Sequence, residues 1–250
     1  MTLRWPSESI WEAVAPDLPG FTVEVLQQID STNTELMRRV RAGQLDPLLL
    51  VAESQTAGRG RLGRDWQSDE SSLTFSLGLP LEMADWSGLS LAVGVSVATS
   101  LHPDLQLKWP NDVWLQDRKL AGILIETASV GAMRYAVIGV GVNIAAREAR
   151  GLSTAPASLQ ELLPGIDAPQ TLQRLAAPLV EAVKRFEVLG LAPFLEMFHA
   201  RDALAGRDVT LSDGTAGQAR GVDGSGALLV HTSAGLRKIN SAEISVRPRN

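Results

Sequence analysis

Lys108 and Lys119 flank a Pro110-Asn111-Asp112 turn, and they are half of the four lysines in a chain whose other 19 basic residues are arginine. A compact ammonium suits a point charge on a phosphate or a carboxylate, whereas arginine suits planar, bidentate pairing. Two cations with an amide and a carboxylate between them could therefore hold an anionic substrate at a defined spot. The same residues also fit a β-hairpin with a solvated lysine at each edge, and spacing alone does not separate the two readings.

The elements that carry this pair can be read on either side of it. Pro110 pushes Trp109 toward an extended conformation, and Asn and Asp close such turns on nearby backbone amides. A short strand should end at Trp109, extended structure should resume at Val113-Trp114-Leu115, and an apolar run from Leu120 to Ile125 should follow an Asp117-Arg118 corner.

A second cluster of cations follows an apolar strand, Leu48 to Ala52, expected to lie centrally in a sheet. Gly58 to Gly63 reads as G-x-G-x-x-G, but the dinucleotide motif needs an apolar helix to start inside it, and Arg64-Asp65-Trp66-Gln67-Ser68-Asp69 offers none. Glycine lets a backbone approach a ligand and arginine supplies forked donors, so Arg59, Arg61 and Arg64 suit a loop that closes over an anion. The alternative is a solvated basic loop. No Walker-type G-x-x-x-x-G-K-[ST] occurs.

A third polar cluster, Ser31-Thr32-Asn33, sits between a strand read at Phe21 to Ile29 and a helix read to end near Gly43. Thr32 and Glu35 have capping-box spacing. Any one of these residues is explained as a cap, but three in succession exceed what a cap needs, and a helix N-terminus facing a cavity can receive a polar or anionic group. Gly139 and Gly141, inside the run 137–144, mark either a bulge or the close approach of a ligand or another backbone.

The remaining chain reads as scaffold. Ser9 and Glu12 have capping-box spacing near the start, where too little chain precedes residue 20 for a helix-turn-helix module. Leu73 to Leu79 alternates as a strand, Leu89 to Ser100 is a buried helix, and Met133 to Ile144 contains a strand pair. Leu172, Leu175, Leu179, Val183 and Phe186 recur at helical spacing, and Leu191 to Leu204 reads as another helix after Pro193. From Gly206 short β runs broken by Asp-Gly and Ser-Gly turns have the texture of a small antiparallel barrel. A domain boundary is placed there, dividing residues 1–204 from 205–250.

Composition bounds the chemistry. With 250 residues, 45% apolar, the chain can build one sizeable core and a small second module, and it shows no internal repeat. A net charge of −5 argues against a surface that neutralises DNA, so phosphate binding has to be local. The absence of cysteine excludes thiolate chemistry, and three scattered histidines lack metal-ligand spacing. No signal peptide or bilayer-spanning run is read, so no membrane association and a cytoplasmic location are expected.

Taken together, Asp-Ser-Thr-Asn at 30–33, QTAGRGRLGR at 55–64 with Trp66, KWPNDVWLQDRKLAGILIE at 108–126 and VIGVGVNI at 137–144 resemble the biotin–protein ligases. The resemblance covers nearly the whole chain, with four motifs in order. It implies an α+β catalytic domain, a mixed β-sheet with flanking helices of the class II synthetase-like biotin/lipoate ligase fold, plus a small C-terminal SH3-like β-barrel. It implies adenylation of biotin by ATP with Mg2+, then transfer to a lysine of a biotin carboxyl carrier protein. Ser31, Thr32, Asn33 and Gln55 match positions around biotin, and Gly122, Leu124 and Gly139 match strand positions lining the pocket. Arg59, Gly60 and Arg61 match the loop that orders over biotinyl-adenylate, and Trp66 matches an aromatic beside the adenine. Lys119 matches the lysine that bridges the biotin carboxylate and the α-phosphate. Asn111, Asp112 and Asn143 fall on the nucleotide side, with Asp112 as the candidate Mg2+ ligand and, with Lys119 and Arg59, a catalytic candidate. Some relatives begin with a DNA-binding domain; its absence here implies a monofunctional ligase without a DNA partner. Exposed sheet edges could pair two copies into a homodimer. The rival readings are a lipoate or octanoate ligase, a catalytically silent biotin-binding module and a nucleotide-dependent oxidoreductase.

Overall fold

Two long strands rich in β-branched and small residues, β6 and β7 below, pair as an antiparallel hairpin and form the middle of the principal sheet. The structure, a computed structural model, describes residues 3–83, 85–147, 155–240 and 246–248. In chain order the elements are α1 (Ser7–Val14), β1 (Thr22–Ile29), α2 (Thr32–Arg41), β2 (Leu48–Gln55), β3 (Ser72–Pro80), α3 (Leu89–Leu101), β4 (Gln106–Lys108), β5 (Asp112–Leu115), β6 (Arg118–Val130) and β7 (Met133–Asn143). Then come α4 (Ala168–Leu189), α5 (Leu195–His199), β8 (Asp208–Leu211), β9 (Ala216–Val222), β10 (Leu228–Thr232), β11 (Gly235–Ile239) and β12 (Val246–Pro248).

The seven-stranded sheet has the order β1-β2-β3-β7-β6-β5-β4 and is mixed, since β1 and β2 run parallel while the other neighbours are antiparallel. Helices α3 and α4 pack together, and their side chains join one large core with β3, β5 and β6. Helix α3 is apolar nearly all round, which fits its burial between the sheet and α4. Helix α2 builds a smaller cluster in which Leu36 and Val40 meet Leu50, Tyr135 and Val137. The α+β architecture expected from the sequence is present. Among the described residues, no helix is long and apolar enough to cross a membrane.

Local expectations needed correction where tertiary packing or a competing cap decides. Ser9 is not a cap: α1 starts at Ser7 after Pro6, and the Ser9 hydroxyl donates to the Pro6 carbonyl at 3.1 Å. The cap of α2 is Ser31, whose Oγ accepts from Thr34 N, so Thr32 is already helical. Residues 133–143 make one strand rather than a pair, because their partners are β3 on one side and β6 on the other. β2 is interior but second from the sheet edge. Leu191 to Leu204 does not form a continuous helix; Ala192–Phe194 turns as a 3-10 helix and α5 ends at His199.

The C-terminal strands form a five-stranded antiparallel sheet in the order β11-β10-β9-β8-β12. The antiparallel C-terminal sheet expected from the sequence is present; among the described residues its outer strands, β11 and β12, are not paired with each other. It shares the large core: Val209, Ala219, Leu228 and Val246 belong to the same cluster as Leu107 and Trp109. Leu107 N donates to Arg201 O at 2.8 Å, Ala203 N donates back to Leu107 O at 2.9 Å, and the Trp109 indole N–H donates to Gly226 O at 3.0 Å.

Trp109, 1% exposed, therefore pins the turn after β4 to the second sheet. Trp109→Phe removes that donor and strands a carbonyl, and should lower stability by about 1–3 kcal/mol. A shift of the urea midpoint at constant slope is the readout, and an unshifted midpoint would show that the indole contact holds nothing.

Candidate active site

The concave site begins as a stretch of sheet that carries no side chains. Gly122 on β6 lies opposite Gly141 on β7, and Gly139 lies one inward-facing position further along. Their lack of a Cβ is used. A Cβ on Gly139 would run into the Asn33 amide, one on Gly141 into the Trp66 indole, and one on Gly122 would come within 2.9 Å of Lys119 Nζ. The ladders on both sides of Gly139 and Gly141 are regular, which removes the bulge reading.

One end of the cavity is neutral and polar because α2 starts there. Gln55 Oε1 accepts from Thr32 N at 2.7 Å and from the Thr32 hydroxyl at 3.1 Å. The fully buried Ser76 hydroxyl lies 2.7 Å from Thr32 Oγ1 and 2.6 Å from Asn33 Oδ1. Asn33 Nδ2 donates to Leu124 O at 3.2 Å and to Glu126 Oε2 at 2.9 Å. Buried polar groups tied this densely hold fixed orientations.

The other end is cationic. Asp112, at the start of β5, lies 2.7 Å from Lys119 Nζ and 3.8 Å from Lys108 Nζ. Lys119 also stands over the Trp66 ring at 5.6 Å, and Lys108 over Trp114 at 5.1 Å. Arg61 reaches across the turn and donates to Asn111 Oδ1 at 3.3 Å, while Asn111 Nδ2 donates to Ile123 O at 2.7 Å. Burial lowers the pKa of both Lys108 and Arg61, opposed in each case by the Asp112 carboxylate. One carboxylate thus organises the cationic end.

The glycine-rich loop covers the cavity as a small hairpin. Gly60 N donates to Arg64 O at 2.7 Å, the backbones of Arg59 and Asp65 pair as an isolated antiparallel bridge, and the Arg59 side chain reaches Glu126 at 2.8 Å. Leu62 takes φ +57° at its tip, an unusual conformation for a branched residue that leaves its side chain exposed. The cavity is half open to solvent, with a volume of about 50 Å3. Trp66 separates it from a second recess beside Asp65, Asp69 and Arg147, and its indole N–H is buried with no acceptor among the described residues.

Every residue that the family resemblance places at the pocket lines this cavity except Asp112 and Asn143; Lys108 and Arg64, read as candidate anion-binding cations, do not line it either. Asp112 stands behind Lys119. Asn143 donates its side-chain amide to Lys119 O at 3.2 Å, holding the start of β6. Ser76 and Glu126 belong to the site although the sequence reading did not place them there; for Ser76 the period-2 alternation of β3 was the available signal, since it pairs with Gly139. Among the described residues no three His, Asp or Glu side chains cluster to hold a metal, and Asp112 is already engaged by two ammonium groups.

Residues 25–143 match the Biotin/lipoate A/B protein ligase family, and residues 206–247 match the Biotin protein ligase C terminal domain. The chain is 38% identical to the Bifunctional ligase/repressor BirA of Escherichia coli over 92% of its own length and 75% of that protein's. It is 32% identical to the Biotin--[acetyl-CoA-carboxylase] ligase of Paracoccus denitrificans over 88% of its length and 98% of the relative's. The chain belongs to the biotin protein ligase family. Among solved structures of that family, the Aquifex aeolicus biotin protein ligase in complex with biotin and ATP superposes with a TM-score of 0.77 at 30% identity, covering 91% of this chain and 99% of the other.

The bare strand stripe predicts a steric dependence. Gly139→Ala should cost about 1–3 kcal/mol by driving a methyl into Asn33. Adding Asn33→Ala should recover part of that loss, because the smaller side chain vacates the space. Urea unfolding of the two single variants and the double gives the coupling, and strict additivity would show that the two residues do not compete for the same volume.

Proposed function

We propose that the chain is a biotin–protein ligase that activates biotin with ATP to biotinyl-5'-AMP and transfers the biotinyl group to a lysine of a biotin carboxyl carrier protein. The observation that carries this reading is one cavity with fixed neutral donors and acceptors at one end and clustered cations at the other. A ureido ring carries two N–H donors and a carbonyl acceptor, which suits Ser31, Thr32, Asn33 and Gln55. The acid's apolar body then lies along the glycine stripe and Leu124, and its carboxylate points to Lys119.

The chemistry needs two anions brought together. Lys119 bridges the carboxylate and the α-phosphate, Asp112 fixes its ammonium, and Arg61 lies against the nucleotide side with Asn111. A carboxylate oxygen attacks the α-phosphorus, the bond to the bridging oxygen breaks and pyrophosphate leaves. The acceptor lysine, once its amine has lost a proton, attacks the acyl carbon and AMP departs. Magnesium carried on ATP would neutralise phosphate charge, and Asp112 is the carboxylate at this end that would meet it. Trp66, with its unpartnered indole N–H, faces the adenylate. Arg59 and its loop exclude water from the mixed anhydride. Asn143 supports the nucleotide side through the backbone of Lys119. The carrier reading is supported by the name of the Paracoccus relative, and the division at residue 205 by the two separate sheets.

Pyrophosphate–ATP exchange with biotin, lipoate or octanoate as the only added acid tests the reading. Exchange with biotin alone is expected. Exchange with lipoate or octanoate would transfer the chain to the lipoate branch, and biotin binding without exchange would make it a silent binding module.

Lys119→Ala should lower exchange by roughly 10²–10³-fold, the scale of losing one fixed charge-stabilising donor. Lys119 has a 40% exposed side chain, so the fold should survive. Normal exchange in this variant would remove Lys119 from the mechanism.

A further inference from the structure

One carboxylate touches both the buried polar end of the pocket and the glycine-rich loop that covers it. Glu126 Oε2 accepts from Asn33 Nδ2 at 2.9 Å and from Arg59 at 2.8 Å, and Glu126 Oε1 lies 3.1 Å from the same guanidinium nitrogen. Asn33 is 3% exposed and locked against Ser76, whereas the Arg59 side chain is 45% exposed and belongs to the glycine-rich loop. A surface ion pair alone holds little, because water competes for both charges. Here the arrangement differs in one respect: the oxygen that receives the loop also receives the buried amide. Orientation of the carboxylate by Asn33 presets it for Arg59, and docking of Arg59 returns negative charge to the place where Asn33 needs an acceptor.

We propose that Glu126 is a positioning residue that couples the polar end of the pocket to closure of the Arg59 loop, and so governs retention of the activated intermediate. This rests on the proposed biotin-activating function. Binding of a ureido group at Asn33 keeps the amide, and through it Glu126, in the orientation that receives Arg59. The loop is then latched most firmly when the pocket is filled, which is when water must be kept out. Asn33 also donates to Leu124 O, so it keeps a partner when Arg59 leaves.

The experiment loads the full chain with biotin and ATP and follows escape of biotinyl-adenylate into solution by rapid filtration, beside pyrophosphate exchange on the same samples. Glu126→Gln keeps an acceptor for Asn33 but removes the charge that holds Arg59, and should speed escape roughly 2- to 5-fold. Arg59→Ala should do the same, and the double variant should escape no faster than either single. Glu126→Asp, which keeps the charge on a shorter arm, should fall between wild type and Glu126→Gln and covers the case in which the amide variant folds poorly. Wild-type escape rates in both Glu126 variants, or additive effects with Arg59→Ala, would overturn the coupling while leaving ligase function in place. A wild-type chain with no biotin-dependent exchange would overturn the function, and the Glu126 role with it.

Discussion

The Asn33 amide and the Trp66 indole lie in space on β7 that a Cβ at Gly139 or Gly141 would occupy, and the rest of the site depends on that occupancy. A strand interior loses stability with each glycine, since the residue has more freedom to lose and nothing to pack. Here the floor is central in a seven-stranded sheet and hydrogen-bonded on both sides, so the ladder and the large core behind it offset the loss. What the glycines provide is depth. The polar side chains of α2 and the ring of Trp66 can meet over bare backbone, with Lys119 arriving at the same level from β6.

Charge is handled as locally as shape. The chain is acidic overall, yet Lys108, Lys119 and Arg61 surround one turn, and the field of the whole protein does not explain their proximity. Asp112 does. Its carboxylate opposes the penalty that burial places on Lys108 and Arg61 and fixes the Nζ of Lys119, so three cations can stand near one another before any phosphate arrives. An anionic ligand entering this end would replace repulsion between cations with attraction, without having to pull the lysines into position.

The sequence carried most of this, because the features that matter were local. The hairpin around Pro110, the strand-to-helix passage at Ser31 and the glycines of 137–144 each announce themselves within a few residues. The α+β class was implied by the resemblance that those motifs carry. What escaped were consequences of distant pairing. Ser76 looks like one more residue of an apolar strand until β3 is placed beside β7 and its hydroxyl falls between Thr32 and Asn33. Glu126 looks like the end of an apolar run until Arg59, 67 residues away, is folded over it. Asp112 entered with the family resemblance as a candidate metal ligand; its contacts to two lysines, at 2.7 and 3.8 Å, are through-space facts that no local pattern carries. The strand pair read into 133–144 failed for a related reason, since β7 finds its partners in β3 and β6.

The two ends of the pocket differ in how firmly they are held, and the difference suits the chemistry. In the network of Ser76, Thr32, Asn33 and the half-buried Gln55 the first three are buried and the members are mutually bonded, so loosening a buried member exposes an unpaired polar group at a cost of about 1–3 kcal/mol. Recognition of a neutral ring needs that rigidity. The cover is held instead by an ion pair with a half-exposed arginine, worth about 0–1 kcal/mol. A mixed anhydride has to be protected from water and then offered to a protein-borne lysine, so a cover that cannot open is as useless as one that never closes. A weak latch that draws on a strong network meets both demands, because the bound ring steadies the carboxylate on which the latch closes and the acceptor meets there an exposed pair that water already weakens.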